Sequence, residues 1–165
     1  MTNTITQKLT RAAVIAALYT ALTLLLAPIS FSATQFRAAE ALTVLPFLFP
    51  EAVWGLTVGC LLGNLLGGAH ILDVIVGPLA TLAAALLTAR CRRKPLAVLP
   101  PVVVNAVVVG AVIAYTSAPD AFWAAFPPIM LSVGLGQAGV CFALGLPLLY
   151  GAEKLLGRLT HGENA

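Results

Sequence analysis

The sequence predicts an all-α integral membrane protein with six transmembrane helices in a single domain over residues 1–165, and three observations carry that prediction. Sixty per cent of the residues are hydrophobic and only 9% are charged, with a mean hydropathy of +0.99. That leaves too little polar surface to cover a water-soluble globule of this length, so the solvent is lipid. Apolar runs near 9–27, 53–68, 73–89, 97–115 and 127–150 are each long enough, at about 1.5 Å per residue, to cross a hydrocarbon core of about 30 Å. The runs are continuous rather than alternating, and backbone polar groups in lipid must be satisfied within the segment, so helices are expected and a barrel is not.

Taken in order, the first helix follows the polar stretch Thr2–Lys8 and breaks at Ala27-Pro28, because proline removes a donor and disfavours helix in the residue before it. Ile29–Phe36 reads as the first external loop, half apolar and therefore suited to folding over something. Residues 38–49 form a shorter second helix, joined by a tight turn at Pro50-Glu51 to the third over 53–68. After the loop Gly67–Leu72, Asp73 is placed to cap the fourth helix. The fifth runs over 97–115. A third external loop over Ser117–Phe126, closed by Pro127-Pro128, leads into the sixth. No internal repeat is visible, which disfavours a carrier built of two inverted halves.

Basic residues set the orientation, since Lys and Arg concentrate in cytoplasmic loops. Eight of nine agree. Lys8 and Arg11 precede the first helix, Arg90, Arg92, Arg93 and Lys94 lie between the fourth and fifth, and Lys154 and Arg158 follow the sixth. Six crossings put these three segments on one side, so the expected location is the cytoplasmic (inner) cell membrane, multi-pass, with both termini cytoplasmic. The first apolar segment is expected to be a permanent anchor rather than a cleaved signal. The net charge of +3 belongs to cytoplasmic loops, so no nucleic-acid partner is expected and the Arg90–Lys94 cluster reads as a topology signal. Cys60, Cys91 and Cys141 have no paired spacing and read as small packing residues, with no metal or other cofactor implied.

The exception among the cations is Arg37, which falls with Glu40 at the external side. Polar groups at membrane depth are costly, and each needs a partner or a purpose. Arg37 and Glu40, three apart, either form an exposed ion pair or belong to a binding site. Asn64, Asn105 and Gln137 either make interhelical hydrogen bonds or line that site. Arg37, Glu40, Asn64 and Asp73 map to the external half, so a polar mouth is expected there, net negative by one charge. A carboxylate accepts two hydrogen bonds from a planar N–H/NH2 edge such as a guanine-like ring presents, and it also pairs with an ammonium. Phe31, Phe36, Trp123 and Phe126 lie in predicted external loops. They either stack on a flat ligand or belong to the interfacial aromatic belt. His70 reads as a solvated loop histidine. In the first helix, Ala12, Ala13, Ala16, Ala17 and Ala21 place overlapping A-x-x-x-A spacings that serve either internal packing or docking to a second membrane protein.

The block Gln35-Phe36-Arg37-Ala38-Ala39-Glu40-Ala41-Leu42-Thr43-Val44-Leu45-Pro46-Phe47, continuing through Pro50-Glu51, Gly55 and Gly59-Cys60-Leu61-Leu62-Gly63-Asn64, resembles the signature of the QueT family. These are integral-membrane S-components of energy-coupling factor (ECF) transporters. The likeness extends to Asp73, Gly77, Leu79, Ala80 and Thr81, so it covers roughly the first 90 residues in sequence and the rest in hydropathy. It implies an S-component-like six-helix bundle that binds a queuosine precursor, such as 7-aminomethyl-7-deazaguanine or queuine, from outside. It implies as partners an ECF coupling transmembrane subunit, meeting Ala12/Ala16 or Ala13/Ala17, and two ATPase subunits. This chain has no G-x-x-x-x-G-K-[ST] loop of its own. In that frame Glu40 holds the guanine-like edge, Arg37 orients Glu40 or meets the ring oxygen, Asp73 pairs with the ligand ammonium, and Phe36, Asn64, Asn105 and Gln137 complete the lining. The rival expectations are a stand-alone secondary transporter of another small cation and a ligand-free scaffold. An intramembrane enzyme is disfavoured, because no clustered nucleophile and base is present.

Overall fold

A computed structural model describes residues 4–26 and 37–162, the last five by backbone alone. Among the described residues every element is helical, and they make six passes. These are α1 (Ile5–Leu25), a 3₁₀ helix (Ala38–Phe47), α2 (Ala52–Leu66), α3 (Ile71–Ala89), α4 (Leu99–Ser117) entered through a short 3₁₀ turn (Lys94–Val98), and a last rod. The rod is α5 (Phe122–Val140), a π-helical segment (Cys141–Gly145) and α6 (Leu146–Gly162) without a break. Four of the passes are long and apolar enough to span a membrane: α1, α3, the Lys94–Ser117 segment and the rod. The other two are shorter apolar helices.

Local chemistry explains the ends. Thr4 caps α1 reciprocally, the Gln7 N–H donating to Thr4 Oγ1 (3.4 Å) and the Thr4 N–H to Gln7 Oε1 (3.2 Å). α1 stops at Leu25, so the expected break comes just before Ala27-Pro28. His70, expected to be a solvated loop residue, caps α3 with its Nδ1 accepting from the Leu72 N–H (3.2 Å). Asp73, expected to be that cap, sits inside the first turn instead. Gly68, at φ +71°, makes the left-handed step between α2 and α3 that a side chain would strain. The third loop is also shorter than expected. Helix begins at Phe122 and continues through Pro127 and Pro128, although each lies past the first turn and forfeits a donor to the carbonyl four residues back. Trp123 and Phe126 are therefore helical rather than loop residues, and Trp123 is fully at the surface.

The second pass differs most from expectation. Residues 38–47 are wound as 3₁₀ helix for ten residues, where such runs usually end after three or four. At about 2 Å per residue the tighter winding reaches about 20 Å, against about 15 Å for an α-helix of the same length. Ala39 through Pro46 are all buried, so this is the central staff around which the other passes pack.

Two kinds of contact hold the surrounding helices. α1 and α2 meet through glycines spaced by four: a Cβ on Gly55 would lie 2.4 Å from the Ala12 carbonyl oxygen, one on Gly59 2.9 Å from that of Ala16, and one on Gly63 3.1 Å from the Thr23 side chain. Thr20 Oγ1 donates across this seam to the Gly59 carbonyl (3.2 Å). Ala16 is thus buried within the chain and Ala12 half-buried, while Ala13, Ala17 and Ala21 lie on the exposed face of α1. At the end carrying Pro50, Arg11 Nη1 bonds Glu51 Oε1 (3.2 Å) and stacks on Phe49 at 5.1 Å. Lys94 pairs with Glu153 and sits 4.8 Å from the Tyr150 ring. An apolar cluster of Val44, Ala97, Val98, Cys141 and Leu149 closes that end between staff and rod.

Candidate binding site around Glu40

Glu40 lies in the first turn of the 3₁₀ staff and is 1% exposed. An acid so deep in an apolar bundle must find donors, and it finds them on three other passes. Tyr19 Oη of α1 donates to Oε1 at 2.5 Å. Asn105 Nδ2 of α4 and Gln137 Nε2 of α5 both donate to Oε2, at 3.2 and 3.1 Å. The backbone beneath is pinned as well: Thr43 Oγ1 donates to the Glu40 carbonyl at 2.6 Å, and Cys141 Sγ approaches the same oxygen at 3.8 Å.

The two unusual helices meet here. Gln137 Nε2 is also 3.6 Å from Cys141 Sγ at the start of the π segment. Further along that segment, a Cβ on Gly145 would press on Val44 Cγ1 and the Ala41 carbonyl at 3.1 and 3.2 Å. The widened turn lets the rod lie against the tightly wound staff, with Gln137 reaching Glu40. π turns recur at functional sites for this kind of reason.

Arg37 immediately precedes the staff, is buried, and gives its carbonyl to the Glu40 N–H (3.0 Å). Its guanidinium lies within electrostatic reach of Tyr19, Glu40 and Asp73. Asp73 is half-buried at the start of α3. Arg37, Glu40, Asn105 and Gln137 therefore share one centre, with Asp73 within electrostatic reach. Glu40 and its donors lie inside the bundle rather than at an open mouth. Asn64 is occupied elsewhere. Its Nδ2 donates to the Asp73 carbonyl at 2.8 Å, which ties α2 to α3, and Gly77 leaves room for it, since a Cβ there would sit 2.7 Å from that nitrogen. Phe36 lies outside the described residues, as does Phe31.

Sequence reasoning missed Tyr19, Thr43 and Cys141. Tyr19 had a signal: it continues the stripe Ala12, Ala16, Tyr19, Thr23 at helical spacing, and a tyrosine on a small-residue stripe needs a partner for its hydroxyl. Cys141 follows Gln137 by one turn. The described residues hold no cluster of three or more potential metal ligands.

A model of the family described as QueT transporter matches residues 9–154. The chain belongs to the QueT transporter family. Among curated proteins, the queuosine precursor transporter QueT of Lactococcus lactis subsp. cremoris (strain MG1363) is 40% identical over 72 residues, a stretch that covers 42% of this chain and 42% of that one. No solved structure matches. Family and apolar helices together make the protein a multi-pass membrane protein.

Proposed function

We propose that this chain binds a 7-deazaguanine-type queuosine precursor and serves as the substrate-binding subunit of an ECF-type importer. The observation that carries the reading is the Glu40 carboxyl group, sealed inside the bundle and supplied with donors from three passes. Oε2 takes two amide donors, from Asn105 and Gln137. A planar N–H/NH2 ring edge offers donors of the same kind and can take their place. Tyr19 stays on Oε1 and fixes the carboxyl plane. Arg37, beside Glu40 and Asp73, leaves one negative charge in surplus, which suits a ligand carrying one ammonium. Family membership and the name of the Lactococcus relative support this substrate class.

No chemistry on the ligand is required of the chain. ATP hydrolysis would belong to separate ATPase subunits, reached through a coupling transmembrane subunit. For that subunit the exposed Ala13 and Ala17 on α1 offer a close-packing face. An open groove of about 630 Å³ on the same helix is bordered by Leu9, Ala12, Glu51 and Trp54.

The test is binding of the purified chain to guanine, cyano- and aminomethyl-deazaguanine, queuine and queuosine. A deazaguanine is expected to bind, and Glu40→Gln is expected to lose roughly 30-fold or more, the scale of a hydrogen bond to a charged group. Arg11→Gln, at the other end, should bind as the unchanged chain does. Equal affinity in Glu40→Gln would remove the assignment. Uptake by the chain alone in vesicles, without ATP or another subunit, would favour a stand-alone carrier.

A further inference from the structure

The face of the bundle that carries Glu51 and Glu153 has an uneven balance of charge. Its described acids are both engaged, Glu51 by Arg11 and Glu153 by Lys94. The remaining described acids, Glu40, Asp73 and Asp120, lie elsewhere in the chain's path. Arg90, Arg92 and Arg93, in the turn after α3, are all exposed, and their guanidinium groups have no hydrogen-bond or ion-pair partner among the described residues.

The turn that carries them is firmly held. The Arg90 N–H bonds the Leu87 carbonyl and the Cys91 N–H that of Thr88, both at 3.1 Å, and the Leu96 N–H bonds the Arg93 carbonyl at 3.0 Å. Thr88 Oγ1 reaches the Ala97 carbonyl at 3.3 Å, and Ala97 and Val98 are fully buried in the apolar cluster. Next to the three cations in sequence, Leu86, Leu87, Leu96 and Leu99 are exposed on the helices either side.

We propose that this turn is a binding site for the phosphate headgroup of an anionic phospholipid. A topology signal needs positive charge but no fixed geometry, and flexible lysines would serve it. Here three arginines are presented on an anchored turn, and each guanidinium can grip a phosphate with two parallel N–H donors. The leucines flanking them would lie along acyl chains, which a free anion in water would not use. Basic clusters beside membrane helices attract anionic headgroups in this way. The site is separate from Glu40 and does not depend on which solute the chain carries.

The test uses the full chain in phosphatidylcholine nanodiscs, with phosphatidylglycerol titrated in and bound lipid read by native mass spectrometry and thermal unfolding. Phosphatidylglycerol should be retained and should raise the unfolding temperature. R90Q/R92Q/R93Q should weaken its binding by on the order of 100-fold, from about 5-fold per cation, whereas a K8Q/K154Q control on the same face should change it far less. R90K/R92K/R93K keeps the charge that guides insertion and should recover binding to within about tenfold of the starting chain. A lysine variant as silent as the glutamine variant would mark the loss as structural and overturn the proposal. So would an equal response to inorganic phosphate, or binding of a poly-glutamate peptide with none to phosphatidylglycerol.

Discussion

The seam between α1 and α2 and the centre around Glu40 both involve α1, yet opposite physics holds them together. Along the seam, Gly55 and Gly59 bring two backbones so close that a single added Cβ would collide with Ala12 or Ala16, and Gly63 lies against the Thr23 side chain. It is a contact of shape, with lipid as indifferent solvent. Around Glu40, regular geometry gives way to a 3₁₀ staff and a π turn, and donors from three passes converge on a carboxyl group carried by a fourth. The difference teaches where rigidity and responsiveness reside. A steric seam has one good arrangement, whereas a hydrogen-bonded centre can exchange its internal donors for those of a ligand.

Substitutions should separate the two. The largest effect is expected at the seam: Gly55→Val should cost at least about 3 kcal/mol and remove the monodisperse peak in detergent chromatography. Next comes Glu40→Ala, which leaves the Tyr19, Asn105 and Gln137 donors without their acceptor. At somewhat under 1 kcal/mol for each interhelical bond, unfolding should register about 2 kcal/mol, and recovery of a folded, monodisperse chain would set it apart from Gly55→Val. Tyr19→Phe removes one hydroxyl and should cost about 1 kcal/mol. Paired with Gln137→Leu in a double-mutant cycle, it should show coupling through Glu40 of about 0.5 kcal/mol or more; strict additivity would mean that the centre is not one network. The smallest effect is expected for Arg11→Gln, whose ion pair is partly exposed and should contribute under about 1 kcal/mol, declining further as salt is raised.

The site was legible in part because charge is so scarce in this chain. With 9% charged residues, Arg37 and Glu40 stand out wherever they fall, and the amides Asn105 and Gln137 stand out in apolar runs. Tyr19 did not, because a tyrosine in a membrane helix is ordinary until its hydroxyl is seen at 2.5 Å from Glu40. Asn64 was grouped with the site by its depth in the membrane, but its amide faces α3, a matter of helix rotation that depth alone does not fix. The loop expected before Pro127 was helix: α5 runs through both prolines, at positions where sequence rules expect a helix to break. His70 took the cap expected of Asp73 because α3 begins at Ile71 rather than after Asp73, which leaves the His70 Nδ1 placed to accept from the Leu72 N–H.

Sequence by itself determined the helical class, the number of passes and the identity of the acid at the centre. Hydropathy, backbone satisfaction and the cost of a buried charge act residue by residue, so they can be read without coordinates. Only the tertiary structure decided that the second pass is a 3₁₀ staff, that the last opens into a π turn, and that Tyr19, Asn105 and Gln137 meet on Glu40. Winding and rotation are set by what each helix packs against, and those neighbours lie 21 to 97 residues away in the chain.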